Sequence, residues 1–169
     1  TSSYYATIFS LILIFLYIFV RFSRWQYSMG AVAALFHDTL VLLAIFSLGY
    51  GWLPFSLEID QAFIAAILTG TGLPLNDTVV VFDRIRENSN VHKGMDFVPM
   101  VNKSLNDTLS RTVITSITTL FVVSVLFIFG GEVLKGFSFA LLIGVVLGTY
   151  SSLFVASTLV VQLEERTNK

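Results

Sequence analysis

Five stretches of this 169-residue chain are apolar for long enough to cross a lipid bilayer, and nothing else constrains its fold as strongly. A helical crossing takes about 20 predominantly apolar residues. The runs cover 4–20, 29–48, 62–82, 112–129 and 134–161. In hydrocarbon, every backbone N–H and C=O must be paired within a helix or around a closed barrel. The runs are too long for barrel strands and lack a period-2 alternation, which excludes the barrel. The expected fold is an all-α membrane protein, a five-helix transmembrane bundle. Composition agrees: 55% of residues are apolar and 12% charged, about half the charge of an ordinary soluble domain. The first run could pass for a signal sequence, but no basic segment precedes it and no small-residue cleavage site follows it. The chain has no cysteine, so disulfides and thiolate metal sites are excluded.

The loops set the topology. Arg21, Arg24, Arg84, Arg86, Lys93, Lys103, Arg111, Arg166 and Lys169 fall on one side of the five runs, and Lys135 alone falls on the other. Glu58 and Asp60 lie in a loop without Lys or Arg. The positive-inside rule places the basic side in the cytoplasm. The N-terminus is then outside and the C-terminus inside. The long connection 83–111 carries Met95, Phe97, Val98, Val101, Leu105 and Leu109 at helical spacing, with polar residues between them. This pattern predicts an amphipathic helix over about 95–110, lying on the inner membrane surface.

In the last run, Gly136, Ala140, Gly144, Gly148, Ser152 and Ala156 recur every fourth residue. They form one ridge of small side chains, which lets helix backbones approach closely where lipid supplies no hydrophobic drive.

Ionisable residues inside the runs are the functional candidates. A charge at the bilayer centre costs about 2.5–3.5 kcal/mol on insertion scales, so its presence calls for a reason. Asp77 sits near the inner third of the third run, just after Gly70, Gly72 and Pro74. Pro74 lacks an N–H and frees a carbonyl, which predicts a kink or break beside the carboxylate. Asp77 reads as a proton or ion site, with Asn76, Thr78, Thr115 and Thr119 as supporting polar residues, or else as a packing carboxylate bonded to Thr or Asn neighbours in the bundle. Asp38, after His37, shares a face with Ala31 and Ala34 and is expected to point into the bundle. It reads equally as a second proton site or as a structural carboxylate. His37 has no partners at metal-ligand spacing, and no metal site is expected. Arg111 opens the fourth run, followed by Thr115, Thr118 and Thr119 on one face, with Thr112 and Ser116 beside them. That is a wettable stripe with a cation at its mouth. Arg111 reads as a partner for ionised Asp77 or as a snorkelling arginine. Asp83, Arg84, Arg86 and Glu87 read as a solvated helix extension with i,i+3 ion pairs. No nucleophile–base pair points to an enzyme, and Gly70-x-Gly72 lacks the third glycine of a nucleotide fingerprint.

The stretch from Asn76-Asp77-Thr78 through Phe82-Asp83-Arg84-Ile85-Arg86-Glu87-Asn88 closely resembles the signature of the SecF family of protein-export membrane subunits. So do Leu109-Ser110-Arg111-Thr112, Phe129-Gly130-Gly131-Glu132, Gly148-Thr149-Tyr150-Ser151-Ser152 and the His37-Asp38 pair. The resemblance implies half of a pseudo-symmetric membrane domain of the resistance-nodulation-division type, here the last five of six spans, without the first span and its periplasmic domain. It implies a bacterial or archaeal cytoplasmic membrane and a role in coupling proton flow to protein export. Asp77 and Arg111 are the matching proton-pathway residues, and protons are the only coupling species expected, with no cofactor. The implied partners are SecD, separate or fused, the SecYEG channel, YajC and YidC. The implied substrate is a preprotein handled by the absent periplasmic domain, and no nucleic acid is expected. Two alternatives stand beside it: a related proton-driven exporter of lipids or drugs, and a non-conducting structural subunit. The chain departs from the family pattern at Gly72-Leu73-Pro74, where the family has Gly-Tyr-Ser, and at Thr158, where it has proline.

Overall fold

The computed structural model describes residues 2–22, 24–52 and 61–167. Glu58 and Asp60 of the basic-free loop lie outside the described residues. The elements are α1 (Ser2–Phe22), α2 (Trp25–Gly49), α3 (Gln61–Val91), α4 (Phe97–Phe129), α5 (Glu132–Tyr150), a π-helical turn (Ser151–Ala156) and α6 (Ser157–Thr167). The described residues contain no strand. The last three elements follow one another without a gap, so the described residues form five helical rods, of which four are long and apolar enough to span a bilayer. The described part of α1 adds a shorter apolar stretch, Ile12–Phe22.

Two rods are longer than hydropathy alone suggests. The 33 residues of α4 extend about 50 Å, well beyond the roughly 30 Å of bilayer hydrocarbon. The segment 95–110, expected as a separate helix on the membrane surface, is instead mostly the first half of α4. The reason is local. Pro99 falls in the first turn, where its missing N–H costs nothing, and no Gly or Pro follows until Gly130. Met100 and Val101 bury against Phe82 and Ile85 rather than in lipid. The third rod likewise continues from the apolar run to Val91. It also passes Pro74 as one continuous helix rather than the expected break, with the proline ring seated in the groove opposite Gly148.

The ridge of small residues on the last rod meets α3, at its own four-residue register. Gly144 lies against Gly70, Gly148 against Pro74 and Ser152 against Thr78. The two registers rise together, so the third and fifth rods run parallel. At Gly148 a Cβ would sit 2.0 Å from the Pro74 Cγ, so only glycine fits. A two-residue turn, Gly130-Gly131, joins α4 to α5, and Gly131 adopts φ +74°, a conformation that glycine enters without strain.

The interior is layered. One apolar core contains Ile18, Phe22, Tyr27, Val81, Phe82, Ile85, Met100, Leu153 and Val160. A second contains Leu42, Phe46, Phe63, Ala66, Val123, Ala140 and Leu141. Between these two cores, each rod from α2 onward carries buried polar residues, among them Asp38, Thr78, Ser116, Ser151 and Ser152.

Beyond the first core, the basic loops converge at one end of the bundle. Arg21 pairs with Asp83 at 3.0 Å, Arg24 with Glu164 at 2.8 Å, and Arg86 donates to the Arg21 carbonyl. The structure thus brings the end of α1, the start of α2 and the end of α6 together with the Asp83–Arg86 stretch of α3 at the basic face.

Candidate functional site

Asp77 is half-buried at the level between the two cores. It opens onto a cavity of about 90 Å³ lined also by Leu73, Pro74, Asn76, Thr115, Ser116, Thr119, Val145 and Thr149. The helical repeat explains the lining. Residues 73, 76 and 77 share one face of α3, while residues 70, 74 and 78 face the last rod. Ser116 and Thr149 close the gap between α4 and α5 at 2.6 Å.

The hydroxyl protons around this cavity are committed. Thr115 donates to the Arg111 carbonyl, Thr119 to the Thr115 carbonyl, and Thr149 to the Val145 carbonyl at 2.7 Å. A hydroxyl has one proton. Thr149 therefore accepts from Ser116, and Ser116 has no proton left for the cavity. Apart from the Asn76 amide, the polar wall offers lone pairs. Such a lining suits a species that only needs to donate: a water delivering a proton, or a hydrated proton.

Arg111 does not line the cavity. It is exposed at the α4 surface, and the ion pairs among the described residues do not join it to Asp77, although its charge acts on the Asp77 carboxylate. In this arrangement the two residues are within electrostatic reach but not paired. Thr118, grouped with Thr115 and Thr119 in the sequence, points away and donates to Ile114. Thr78 is also outside the cavity, buried and bonded to Ser152 at 2.8 Å.

Asp38 occupies a separate place. It is 4% exposed, and its carboxylate sits 3.0 Å from the His37 Nδ1. Ser151, the first residue of the π turn, reaches the same α2 surface, bonding the Ala34 carbonyl at 3.4 Å. The structure therefore puts the two membrane aspartates on opposite sides of the last rod rather than in one site. That rod presents Thr149 to the Asp77 cavity, Ser151 to Asp38 and Ser152 to Thr78. Spacing marked Ser152 only as part of the small-residue ridge, and Thr149 and Ser151 stood out only within the Gly148–Ser152 motif and as hydroxyls in the middle of an apolar run. The π turn has no sequence signal at all, though such turns recur at functional sites.

The charged motif after Asp77 does more than solvate a helix end. Arg84 forms the expected i,i+3 pair with Glu87 at 2.7 Å, and it also holds Asp107 of α4 at 2.9 Å. Asn88 donates to Ser104 at 2.8 Å beside it. Hydrogen bonds from Arg84 hold the Asp107 carboxyl below its ordinary range. A carboxyl depressed in the folded state stabilises above its unfolded value, about pH 4, and loses that contribution as pH falls through its folded value. Purified protein melted over pH 7 to 3 should therefore show an acid-side loss of stability that Asp107→Asn partly removes. The same substitution should lower Tm slightly at pH 7.

Comparison with known proteins accords with this geometry. Residues 1–166 match the family model described as protein export membrane protein SecD/SecF, C-terminal. The chain is 63% identical over 162 residues to a protein translocase subunit SecF of Rhodothermus marinus, covering 96% of this chain and 52% of that protein. It is 44% identical over 167 residues to the SecF of Petrotoga mobilis, covering 99% and 53%. The chain thus spans about half the length of these relatives. Among solved structures, SecDF from Thermus thermophilus, described as a translocon-associated membrane protein, superposes with a TM-score of 0.86 at 40% identity, over 96% of this chain and 22% of that one. A SecDF crystallised in a super-membrane-facing form gives 0.83 at 42% identity, over 94% and 21%. A multi-pass helical protein with this layered interior and this match over nearly its whole length belongs to the SecD/SecF C-terminal family of protein-export membrane proteins.

Proposed function

We propose that the chain is the membrane part of a SecF-type translocase subunit that couples proton flow across the cytoplasmic membrane to protein export. The observation that supports this most is Asp77: a carboxylate between two apolar cores, facing a cavity walled by acceptor hydroxyls, with Arg111 in reach but unpaired. A packing carboxylate would be bonded to neighbouring groups. Asp77 instead opens onto space large enough for water.

In this reading Asp77 takes a proton from the outer side and releases it toward the basic, cytoplasmic side. When protonated it is neutral and the bundle keeps one arrangement. When ionised it draws Arg111 toward it and favours another. SecD, fused or separate, supplies the other half of the membrane domain, and the SecYEG channel, YajC and YidC are the wider assembly. A periplasmic domain outside this chain works on the preprotein.

The test is preprotein export stimulated by the proton-motive force, in cells depleted of their own subunit and complemented with the full-length protein. Arg111→Ala is expected to lose the stimulated component while membrane levels stay normal, and Arg111→Lys, which keeps the charge, to retain part of it. Full export with Arg111→Ala would remove the arginine from the coupling.

A further inference from the structure

The three helices around the Asp77 cavity are not held equally. The contact between α3 and the last rod is rigid. Gly144 and Gly70 meet backbone to backbone, a Cβ on Gly148 would overlap the Pro74 ring, and Thr78, Ser152 and the Pro74 carbonyl lie 2.8, 3.1 and 3.3 Å from one another, close enough for their two hydroxyl protons to bond two of the three contacts at a time. Nothing in that contact can slide without a clash.

The fourth rod is held differently along its length. Its first half is pinned to α3 by Arg84–Asp107, by Asn88–Ser104 and by burial of Met100 and Val101. Beyond Thr112 its outer surface is bare: Ile114, Ile117, Phe121, Val122 and Ile128 are exposed. Across the cavity, its side-chain hydrogen bond to α5 among the described residues is Ser116–Thr149. From the pin into the bare half, four hydroxyls bond their own helix one turn back: Thr108, Thr115, Thr118 and Thr119. Back-bonding of this kind loosens the backbone ladder and bends helices.

We propose that Ser116 and Thr149 are positioning residues for Asp77. Their hydrogen bond latches α4 over the cavity, and α4 bends about the Ser104–Asp107 pin to open it, while α3 and α5 stay fixed to each other. Opening parts the Ser116 and Thr149 hydroxyls, widens the cavity on the side of Thr115 and Thr119, and lets Arg111, one turn beyond the pin, change its distance to Asp77. This rests on Asp77 being the proton-accepting group.

Two cross-links of nearly equal length test it. The chain has no cysteine, so Ser116→Cys with Thr149→Cys joins α4 to α5, and Thr78→Cys with Ser152→Cys joins α3 to the last rod. The hydroxyl separations of 2.6 and 2.8 Å put both pairs within reach of a disulfide. Each is introduced into the full-length protein with any cysteine outside this chain replaced by serine, in complex with its partners, and bridged by oxidation or, where no disulfide forms, by a short bis-thiosulfonate reagent. The α4–α5 bridge is expected to bring proton-motive-force-stimulated export down to the unstimulated level and to release it on reduction. The α3–Ser152 bridge is expected to leave at least half of the stimulation in place. Equal export with and without the α4–α5 bridge overturns the latch. Equal loss from both bridges overturns the assignment of α4 as the moving element. Asp77→Asn is run beside them. If it exports like wild type, the proton reading itself has failed. If it is inactive while the α4–α5 bridge is harmless, only the latch has failed.

Discussion

Asp77→Asn is expected to abolish the proton-motive-force-stimulated part of export while leaving membrane levels and assembly intact. Asparagine matches aspartate in size, so the cavity lining, the Pro74–Gly148 contact and the Thr78–Ser152 bond should all remain. What disappears is the ability to alternate between neutral and charged. One charge moved through 100 mV carries about 2.3 kcal/mol. That is enough to shift a two-state equilibrium by about fifty-fold. It is lost entirely when no group in the cavity binds the proton. Complementation in depleted cells, with immunoblotting of the membrane fraction, measures both quantities. Wild-type export would remove Asp77 from the pathway and turn attention to Asp38, which is buried with its carboxylate 3.0 Å from the His37 Nδ1. The same comparison separates the alternatives raised by the sequence. A structural subunit tolerates the substitution, and an exporter of lipids or drugs does not co-purify with the Sec channel.

Hydropathy made the spans legible but not their ends. Lipid solvation and helix hydrogen bonding obey different rules: the first stops at Asp83 and starts again near Thr112, while the second continues until a residue breaks it. Hence α3 runs to Val91 and α4 begins at Phe97. The ridge of small residues was also legible, because the close approach it permits depends on one helix alone. Its partner was not. Gly70, Pro74 and Thr78 share the ridge's spacing, but only the three-dimensional structure shows that Gly70, Pro74 and Thr78 meet Gly144, Gly148 and Ser152. The same limit applies at the site. Asp77, Thr115 and Thr119 were each singled out as polar residues in apolar surroundings, and the cavity brings them together. Thr149 belongs there too, yet beside Gly148 and Tyr150 it is an ordinary hydroxyl that a helix can satisfy internally. The charged motif was underestimated because spacing displays the local Arg84–Glu87 pair and hides Arg84–Asp107, which spans 23 residues.

Gly148→Ala is expected to be the most damaging added methyl along the contact between α3 and the last rod. The added Cβ would lie 2.0 Å from the Pro74 Cγ and 2.4 Å from its Cβ. A proline ring cannot rotate away, so α3 and the last rod must separate. Overpacking usually costs about 1–3 kcal/mol, and this contact belongs at the upper end because both sides are rigid. Two other glycines, Gly144 and Gly72, provide a graded control. At Gly144 the new methyl would sit 3.2 Å from the Gly70 Cα, tight but within reach of a small shift, so Gly144→Ala should cost less. At Gly72 nothing lies within 4 Å, so Gly72→Ala should cost nothing and can gain up to about 1 kcal/mol from helix propensity. Thermal unfolding of detergent-purified protein should rank the three in that order. If Gly148→Ala melts like wild type, the helices are not in contact at Pro74. Pro74→Gly makes the converse change by emptying the space that Gly148 accommodates. Added to Gly148→Ala, it should recover part of the lost stability, since the methyl then enters the space left by the ring. Recovery of export along with stability would tie the position of Asp77, three residues from Pro74, to this one contact.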